Sequence, residues 1–202
     1  MNETLEGIAK AAVWLPGSQG QKVILPSGLI LMAAHCVSWS SEGGMVIDSK
    51  HGEAVETVAG KMLTLVWAVE PCCHVAVLGP FDEDQAPDSS KEYGQIYNQA
   101  EPIPISTAER KPFDKFRVYI RAHDNRWITA VACQTGVDVN LFLIEDDGEI
   151  SPGTSGGPIV DEQGQILAVV SNSGDIFCSA PKPHRTLPVW VVEKMTAEEC
   201  DV

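Results

Sequence analysis

The sequence predicts an all-β protein, and three observations support that prediction. Short runs rich in Val, Ile, Leu and Thr recur between turn residues, and each has the length of a strand. These runs fall in two sets, at residues 12–15, 22–25, 28–32 and 62–67, then at residues 116–120, 127–131, 140–144, 166–170 and 189–192. An acidic stretch broken by prolines, residues 79–92, separates the sets and is typical of a solvated linker. Helices are expected only in the first ten residues and at residues 191–199, so the strand spacing favours a barrel or a sandwich.

Composition bounds the size and class of the protein. The chain has 202 residues, which suits one domain or two closely joined subdomains at ~150 residues per domain. Hydrophobic residues make up 44% and charged residues 21%, close to the average of soluble globular proteins, so we expect a folded chain with a substantial core. The acidic stretch predicts a division into residues 1–80, a linker at residues 81–102, and residues 103–202.

The charge of the chain restricts its partners. Acidic residues outnumber basic ones by 28 to 14, giving a formal net charge of −14. Such a chain has no positive field to attract nucleic acid or anionic lipid, and no apolar stretch reaches the ~18 residues that span a bilayer. Glu3 and Glu6 lie where an export signal carries positive charge, and two of the six cysteines are adjacent. We therefore expect a cytoplasmic protein without a disulfide framework and without nucleic-acid or membrane partners.

A glycine-rich segment around Ser155 is the most informative part of the sequence. Residues 151–160 are SPGTSGGPIV, so three glycines surround one serine ahead of an apolar strand. Glycines permit a tight turn that pushes Ser155 outward while its own N–H and that of Gly153 converge on one point. Converging N–H groups stabilise a developing oxyanion. A glycine-rich hairpin with a solvated serine is the alternative interpretation.

A histidine follows the apolar strand of the first half. Residues 31–37 are LMAAHCV, and a lone histidine in such a place, His35, is more often a buried residue satisfied by backbone groups. Its unperturbed pKa of ~6.5 nevertheless suits it to accept the proton of a serine. Nucleophile and base need only be neighbours in space, so His35 and Ser155, in different halves of the chain, fit a cleft between subdomains.

These segments resemble the histidine and serine motifs of the trypsin-like (chymotrypsin-fold) serine peptidases, in the family's order and of an intracellular, disulfide-poor type. The resemblance is carried by residues 33–36 (AAHC) and 153–158 (GTSGGP). Residues 74–78 (HVAVL) are similar to the segment that holds the family's aspartate, and residues 169–174 (VVSNSG) to its substrate-binding strand. The resemblance implies two six-stranded antiparallel β-barrels with the active site between them.

The resemblance also implies a role for each matching residue. Ser155 is expected to be the nucleophile, and His35 the general base and then acid. The N–H groups of Gly153 and Ser155 are expected to form the oxyanion hole. The three residues that follow the strand would pair with an extended substrate as an added strand: Ser171, Asn172 and Ser173.

Two further positions bear on the specificity pocket. Glu149 lies where the family places the base of that pocket, which implies a basic side chain at the cleaved position. Pro188 occupies a wall position usually held by glycine in deep-pocket members, which implies a shallow pocket for a small residue. Both implications remain open at this point.

The position of the family's aspartate holds His74. A neutral imidazole accepts a hydrogen bond from His35, but it supplies no negative charge to stabilise an imidazolium. Three accounts stay open: a working Ser-His-His set, a nearby carboxylate such as Glu70 or Asp82 in the aspartate's role, or an inactive form, natural or engineered.

Two other positions depart from the family's pattern. Thr154 precedes the nucleophile where digestive members carry an aspartate that captures a freed N-terminus, so the trypsin-type activation switch is not expected. Cys36 follows the histidine as in secreted relatives, but no cysteine lies in the preceding strand where its usual partner would be.

A metal site is a weaker alternative. A zinc site could be built from Cys72, Cys73 and His74 together with Cys133 or Cys178. It would require the two adjacent cysteines to share a face, whereas neighbours on a strand point to opposite faces and these lack the usual ligand spacing. We therefore expect no metal and no cofactor.

The remaining histidines lie in polar, turn-rich surroundings. His51, His123 and His184 are expected at the surface, with His184 near enough to the pocket strands to line a subsite.

The sequence thus predicts a serine endopeptidase that hydrolyses a protein or peptide substrate, a dedicated one by the resemblance, through an acyl-enzyme on Ser155. The alternative is a catalytically impaired or inactive pseudopeptidase that binds an extended peptide or a partner protein in the same cleft.

Overall fold

The described residues of the computed structural model cover most of the chain: residues 12–14, 20–37, 52–57, 60–70, 73–135, 140–147, 150, 152–171, 183–188 and 191–193. Their secondary structure is mostly antiparallel β, which confirms the predicted class.

Six strands of the first half close into an antiparallel barrel in the order β1-β2-β3-β6-β5-β4. They are β1 (Ala12–Trp14), β2 (Gln21–Ile24), β3 (Ile30–Ala33), β4 (Gly52–Thr57), β5 (Gly60–Glu70) and β6 (Val75–Gly79). Pairing of Trp14 with Glu56 closes the ring between β1 and β4. The sequence patterns missed β4, GEAVET, which contains no apolar run longer than two residues.

Six strands of the second half form one antiparallel sheet in the order β11-β10-β7-β8-β9-β12. They are β7 (Lys115–Arg121), β8 (Trp127–Thr135), β9 (Asn140–Asp146), β10 (Pro158–Val160), β11 (Ile166–Val169) and β12 (Pro183–Arg185). An isolated antiparallel bridge between Ala168 and Thr186 brings the two edges of this sheet together. The strand predicted at residues 189–192 is wrong for Val191 and Val192, which form a short helical turn, and residues 189–190 lie outside the described part.

The two halves share a buried core. One cluster of buried side chains draws Val23, Leu31 and Val77 from the barrel and Val160 and Val169 from the sheet. Burial of apolar surface contributes ~25 cal/mol per Å², so this shared cluster fixes the two halves against each other.

The acidic stretch between the halves contains a helix, α1 (Pro87–Tyr97), that the sequence patterns missed. Pro87 occupies the first helical turn, where its missing N–H costs nothing, and Asp88 lies at the positive end of the helix dipole. Tyr93 and Ile96 are buried against the barrel. The helix residues that belong to the predicted linker at 79–92 are exposed or half-buried, and the buried contacts begin at Tyr93.

The segment after α1 bonds to both halves. Ile103 N–H donates to Ile24 O at 3.0 Å, and Ser106 N–H donates to Ile166 O at 2.8 Å. Ser106 Oγ also donates to Asp161 at 2.8 Å, where the Arg110 guanidinium forms a buried ion pair with the same carboxylate at 2.9 Å.

The helices of the described part do not include one long and apolar enough to cross a membrane. None of the cysteines that the structure describes, Cys36, Cys73 and Cys133, forms a disulfide.

Candidate functional site

His35 lies at the end of β3, on a short 3-10 helix over Ala34–Cys36. Ala34 is fully buried, and its N–H donates to His74 O at 2.8 Å. This bond ties the base of the His35 loop to the residue that precedes β6. The His35 side chain itself is exposed, so it reaches solvent from a fixed backbone.

His74 lies directly before β6 in the left-handed region, with φ of 59°. Few non-glycine residues adopt this conformation, although histidine, asparagine and aspartate are enriched in it. The ring of His74 meets that of His35 edge to face, with centroids 5.5 Å apart and an interplanar angle of 72°. The structure therefore brings together the two histidines that the sequence motifs selected.

The surroundings of His35 favour its neutral form. Partial burial of the ring lowers the pKa of His35, and the neighbouring His74 lowers it further. A carboxylate in the place of His74 would raise that pKa, because a negative charge stabilises the imidazolium. His35 is therefore a weak base that stays neutral at neutral pH.

The two carboxylates considered as substitutes lie at opposite ends of β6. Glu70 pairs with Val75 across β5 and β6, so it is at the same end as His74. Asp82 lies beyond Gly79, at the far end of a five-residue strand that spans roughly 16 Å. Its carboxylate accepts the N–H of Asp84 at 2.8 Å. The geometry favours Glu70 over Asp82.

Ser155 lies in a tight turn that leads into β10. The turn is closed by Gly157 N–H, which donates to Thr154 O at 2.8 Å, and by Gly156 N–H, which donates to Val170 O at 2.7 Å. Thr154 is fully buried, whereas Ser155 is half-buried.

Three glycines lie in this turn: Gly153, Gly156 and Gly157. Each either has no room for a Cβ or adopts a backbone angle that disfavours a side chain. A Cβ on Gly156 would lie 1.9 Å from Gln21 O, and one on Gly157 would lie 2.5 Å from Arg121 O. Gly153 and Gly156 have φ of 91° and 79°. Backbone packed on backbone thus requires glycine at positions 156 and 157, and the positive φ favours it at positions 153 and 156.

Contacts across the junction join the serine turn to the histidine strand. Gln21 N–H, on β2, donates to Ser155 O at 2.6 Å. A Cβ on Gly156 would lie 3.4 Å from Ala33 N, two residues before His35. A Cβ on Gly20 would meet both Cys36 Sγ and Ser155 O, at 2.6 and 3.3 Å. The predicted nucleophile and base therefore lie on neighbouring segments.

The expected substrate-binding residues are described only in part. Ser171 is buried directly after the two hydrogen bonds that join Gly156 and Gly157 to Val170. Pro188 is half-buried, and its carbonyl accepts the N–H of Val191 at 2.9 Å. The other expected positions lie outside the described residues: Glu149, Asn172 and Ser173.

Two residues of this region were missed by the sequence patterns. Gln21 is buried and also donates from Nε2 to Arg121 O at 3.1 Å, so it bonds to both halves. His123 was expected at the surface, but it is half-buried, and its Cβ lies 3.3 Å from where a Cβ on Gly153 would be. Neither residue belongs to a local motif, so the sequence offered no signal for them.

No group of three or more His, Cys, Asp or Glu side chains among the described residues is placed to hold a metal ion. Cys73 and Cys133 are buried, and Cys72 and Cys178 lie outside the described part.

The fold is shared with known serine proteases. The Rv3671c protease of M. tuberculosis, in its inactive form, matches with a TM-score of 0.58 and 17% identity over 96% of this chain and 91% of that chain. Its active form matches with a TM-score of 0.57 and 16% identity over 96% and 82%. The serine endoprotease from Yersinia pestis matches with a TM-score of 0.54 and 16% identity over 96% and 64%. The resemblance to serine proteases is therefore confirmed at the level of the fold.

No protein-family model matches the sequence, and no curated protein matches it.

Proposed function

We propose that the chain is a trypsin-like serine endopeptidase with Ser155 as its nucleophile and His35 as its base. One observation carries the proposal: the bond from Gln21 N–H to Ser155 O, at 2.6 Å, holds the serine turn against the strands that lead to His35. The shared fold with serine proteases supports it. We infer two β-subdomains, residues 1–80 and 103–202, with the active site between them.

The first half of the reaction forms an acyl-enzyme. Ser155 Oγ attacks the carbonyl carbon of the scissile peptide bond while its proton passes to His35. The carbonyl oxygen becomes an oxyanion that accepts hydrogen bonds from the N–H groups of Gly153 and Ser155. The C–N bond then breaks, and His35 gives its proton to the leaving amine, which leaves an ester on Ser155.

The second half releases the acid product. A water molecule gives a proton to His35 and attacks the ester carbon, and the same two N–H groups stabilise the new oxyanion. The bond to Ser155 Oγ breaks, and His35 returns the proton to it. No cofactor takes part in either half.

His74 has the place of the third triad member and orients the His35 ring without adding negative charge. The imidazolium that forms during each step is therefore poorly stabilised, and we infer a slow enzyme. Glu70 is the carboxylate whose strand position suits a compensating role, because it lies at the same end of β6 as His74.

The substrate is inferred to be an extended segment of a protein, and a dedicated one. Ser171, Asn172 and Ser173 would pair with it as an added strand. Glu149 favours a basic residue at the cleaved position, whereas Pro188 favours a small one. Cleavage of peptides with a basic or a small residue at that position would distinguish the two preferences. We infer a cytoplasmic location for this activity.

A pseudopeptidase is the second candidate, and the surroundings of His35 favour it. Both influences on the pKa of His35, burial and His74, work against its protonated form. A cleft with this chemistry disabled would still grip an extended peptide.

Intact mass after treatment with a fluorophosphonate tests the proposal. We expect the parent chain to gain a single adduct, and we expect Ser155→Ala to gain none. If the chain is a pseudopeptidase, only the His74→Asp variant should be labelled. Absence of label on every variant would refute the proposal that Ser155 is a nucleophile. Peptide binding that survives Ser155→Ala would then support the binding function.

A further inference from the structure

We propose that His123 is a positioning residue that holds Gly153 in the conformation its N–H needs for the oxyanion hole. This inference rests on the proposed function, because that function gives Gly153 its role. His123 lies in the hairpin between β7 and β8, 30 residues before Gly153, and no sequence motif connects them.

The His123 atoms nearest to the side-chain position of Gly153 are carbons. A Cβ built on Gly153 would lie 3.3, 3.5 and 3.8 Å from Cβ, Cγ and Cδ2 of His123. The edge of the imidazole therefore covers one face of a glycine whose φ is 91°. A glycine at such an angle has several other conformations of similar energy, so its N–H needs a neighbour that restricts it.

The hairpin that carries His123 has a well-braced tip. Ala122 N–H donates to Arg126 O at 2.9 Å, and the Arg121 guanidinium donates to Asn125 Oδ1 at 2.8 Å. Asp124 pairs with Arg126 at 2.5 Å. Such cross-links make the backbone of His123 a firm support for the ring.

Gln21 bonds both to the base of the hairpin and to the serine turn. Its backbone N–H donates to Ser155 O at 2.6 Å, and its side chain donates to Arg121 O at 3.1 Å. A Cβ on Gly157 would lie 2.5 Å from the same Arg121 O. Movement of the serine turn relative to His123 would break these contacts. The distance from His123 to Gly153 is therefore fixed by the hairpin on one side and by the serine turn on the other.

Because the His123 atoms nearest to Gly153 are carbons, the proposed role toward Gly153 is one of packing. A phenylalanine ring has the shape of imidazole and no charge, so His123→Phe should preserve the role. His123→Ala removes the ring and should release Gly153. Arg117→Gln is the control on β7, the strand that leads into the hairpin, because Arg117 is exposed and pairs only loosely with Glu162 at 3.6 Å.

The test measures Gly153 directly, in the full-length chain labelled with ¹⁵N-glycine. We expect one sharp Gly153 amide signal in the parent chain, in His123→Phe and in Arg117→Gln. In His123→Ala the signal should broaden or double. An unchanged Gly153 signal in His123→Ala, or a broadened one in His123→Phe, would overturn the proposal. This readout is independent of any catalytic activity.

Fluorophosphonate kinetics supply the second readout. The maximal inactivation rate should fall at least ~10-fold in His123→Ala with little change in the half-saturating concentration, and His123→Phe should restore it with an unaltered pH profile. A parent chain that takes no label contradicts the proposed function, while the Gly153 signal still decides the role of His123. Equal rates in the parent and His123→Ala would refute the positioning role alone.

Discussion

The rings of His35 and His74 meet edge to face with centroids 5.5 Å apart, at the end of the barrel where Ala34 N–H bonds to His74 O. A carboxylate at this place would orient the His35 ring and also stabilise its positive charge. His74 brings no negative charge. In the proposed peptidase, substitutions at position 74 would therefore test orientation and charge separately, two contributions that the usual triad combines.

Restoring a carboxylate should increase the activity. In His74→Asp we expect the rate of fluorophosphonate labelling to rise by roughly 10²- to 10⁴-fold, because replacing the aspartate of a serine protease triad with an amide, which leaves the histidine in the wrong tautomer, costs about 10⁴-fold. Aspartate tolerates the left-handed backbone of residue 74, so the substitution should not disturb the turn.

His74→Asn is the control for that increase. It tolerates the same backbone angles but brings no charge, so its labelling rate should stay near that of the parent. Equal increases in both variants would show that removing the imidazole, rather than adding the carboxylate, is responsible.

The pH profile of labelling should reflect the lowered pKa of His35. Since the neutral ring is the base, the acid limb of the profile should have its midpoint below the usual ~6.5 for histidine, and in His74→Asp above it. A parent midpoint above ~6.5 would contradict the assigned cause, because it would require a negative charge near His35.

Stability should respond to the same group with a defined sign. The folded state disfavours protonated His35, so the free energy of unfolding should fall as pH drops through the unfolded pKa of ~6.5 and level off below the folded pKa. His35→Gln should lose this component. Urea unfolding of both chains between pH 5 and 8 measures it.

The strands were predictable where their residues formed apolar runs, as β3 does with Ile30–Ala33. Helix α1 was not predictable, because its composition is polar and its stability comes from the barrel. Tyr93 and Ile96 are buried there, the Tyr93 hydroxyl donates to Gly28 O, and the Tyr97 hydroxyl donates to Pro26 O at 2.5 Å. Tertiary contacts of this kind leave no periodic signal in an 11-residue segment.

The site was predictable to the same extent. His35 and Ser155 lie in local motifs. The small residues of these motifs, glycine and alanine, are needed where backbones pack closely, so the sequence indicated both candidate residues. Gln21 and His123 act through partners far along the chain, with Gln21 bonding to Arg121 across 100 positions. A single sequence carries no record of such distant pairs.

A designed cysteine at position 20 should form a disulfide with Cys36. A Cβ on Gly20 would lie 3.4 Å from Cys36 Cβ, just below the ~3.5–4.5 Å usual for a disulfide, so a small backbone shift would bring the pair into range. Under oxidising conditions we expect Gly20→Cys to lose both free thiols and to gain about 3 kcal/mol in the free energy of unfolding. Thiol titration and urea unfolding measure this, with Gly20→Cys/Cys36→Ser as the control. Two titratable thiols at positions 20 and 36 after oxidation would contradict the described packing.

Gly156 and Gly28 offer a matched test of why the serine turn needs glycine. Their φ angles are nearly equal, 79° and 78°, but a Cβ on Gly156 would lie 1.9 Å from Gln21 O, whereas one on Gly28 would meet nothing within 4 Å. Gly28→Ala should therefore cost only the backbone strain of about 1–2 kcal/mol and leave labelling unchanged. Gly156→Ala should cost several kcal/mol more and abolish labelling, because the turn must move away from Gln21. Similar losses of unfolding free energy in the two variants would mean that backbone strain alone, without close packing on Gln21, explains the glycine at 156.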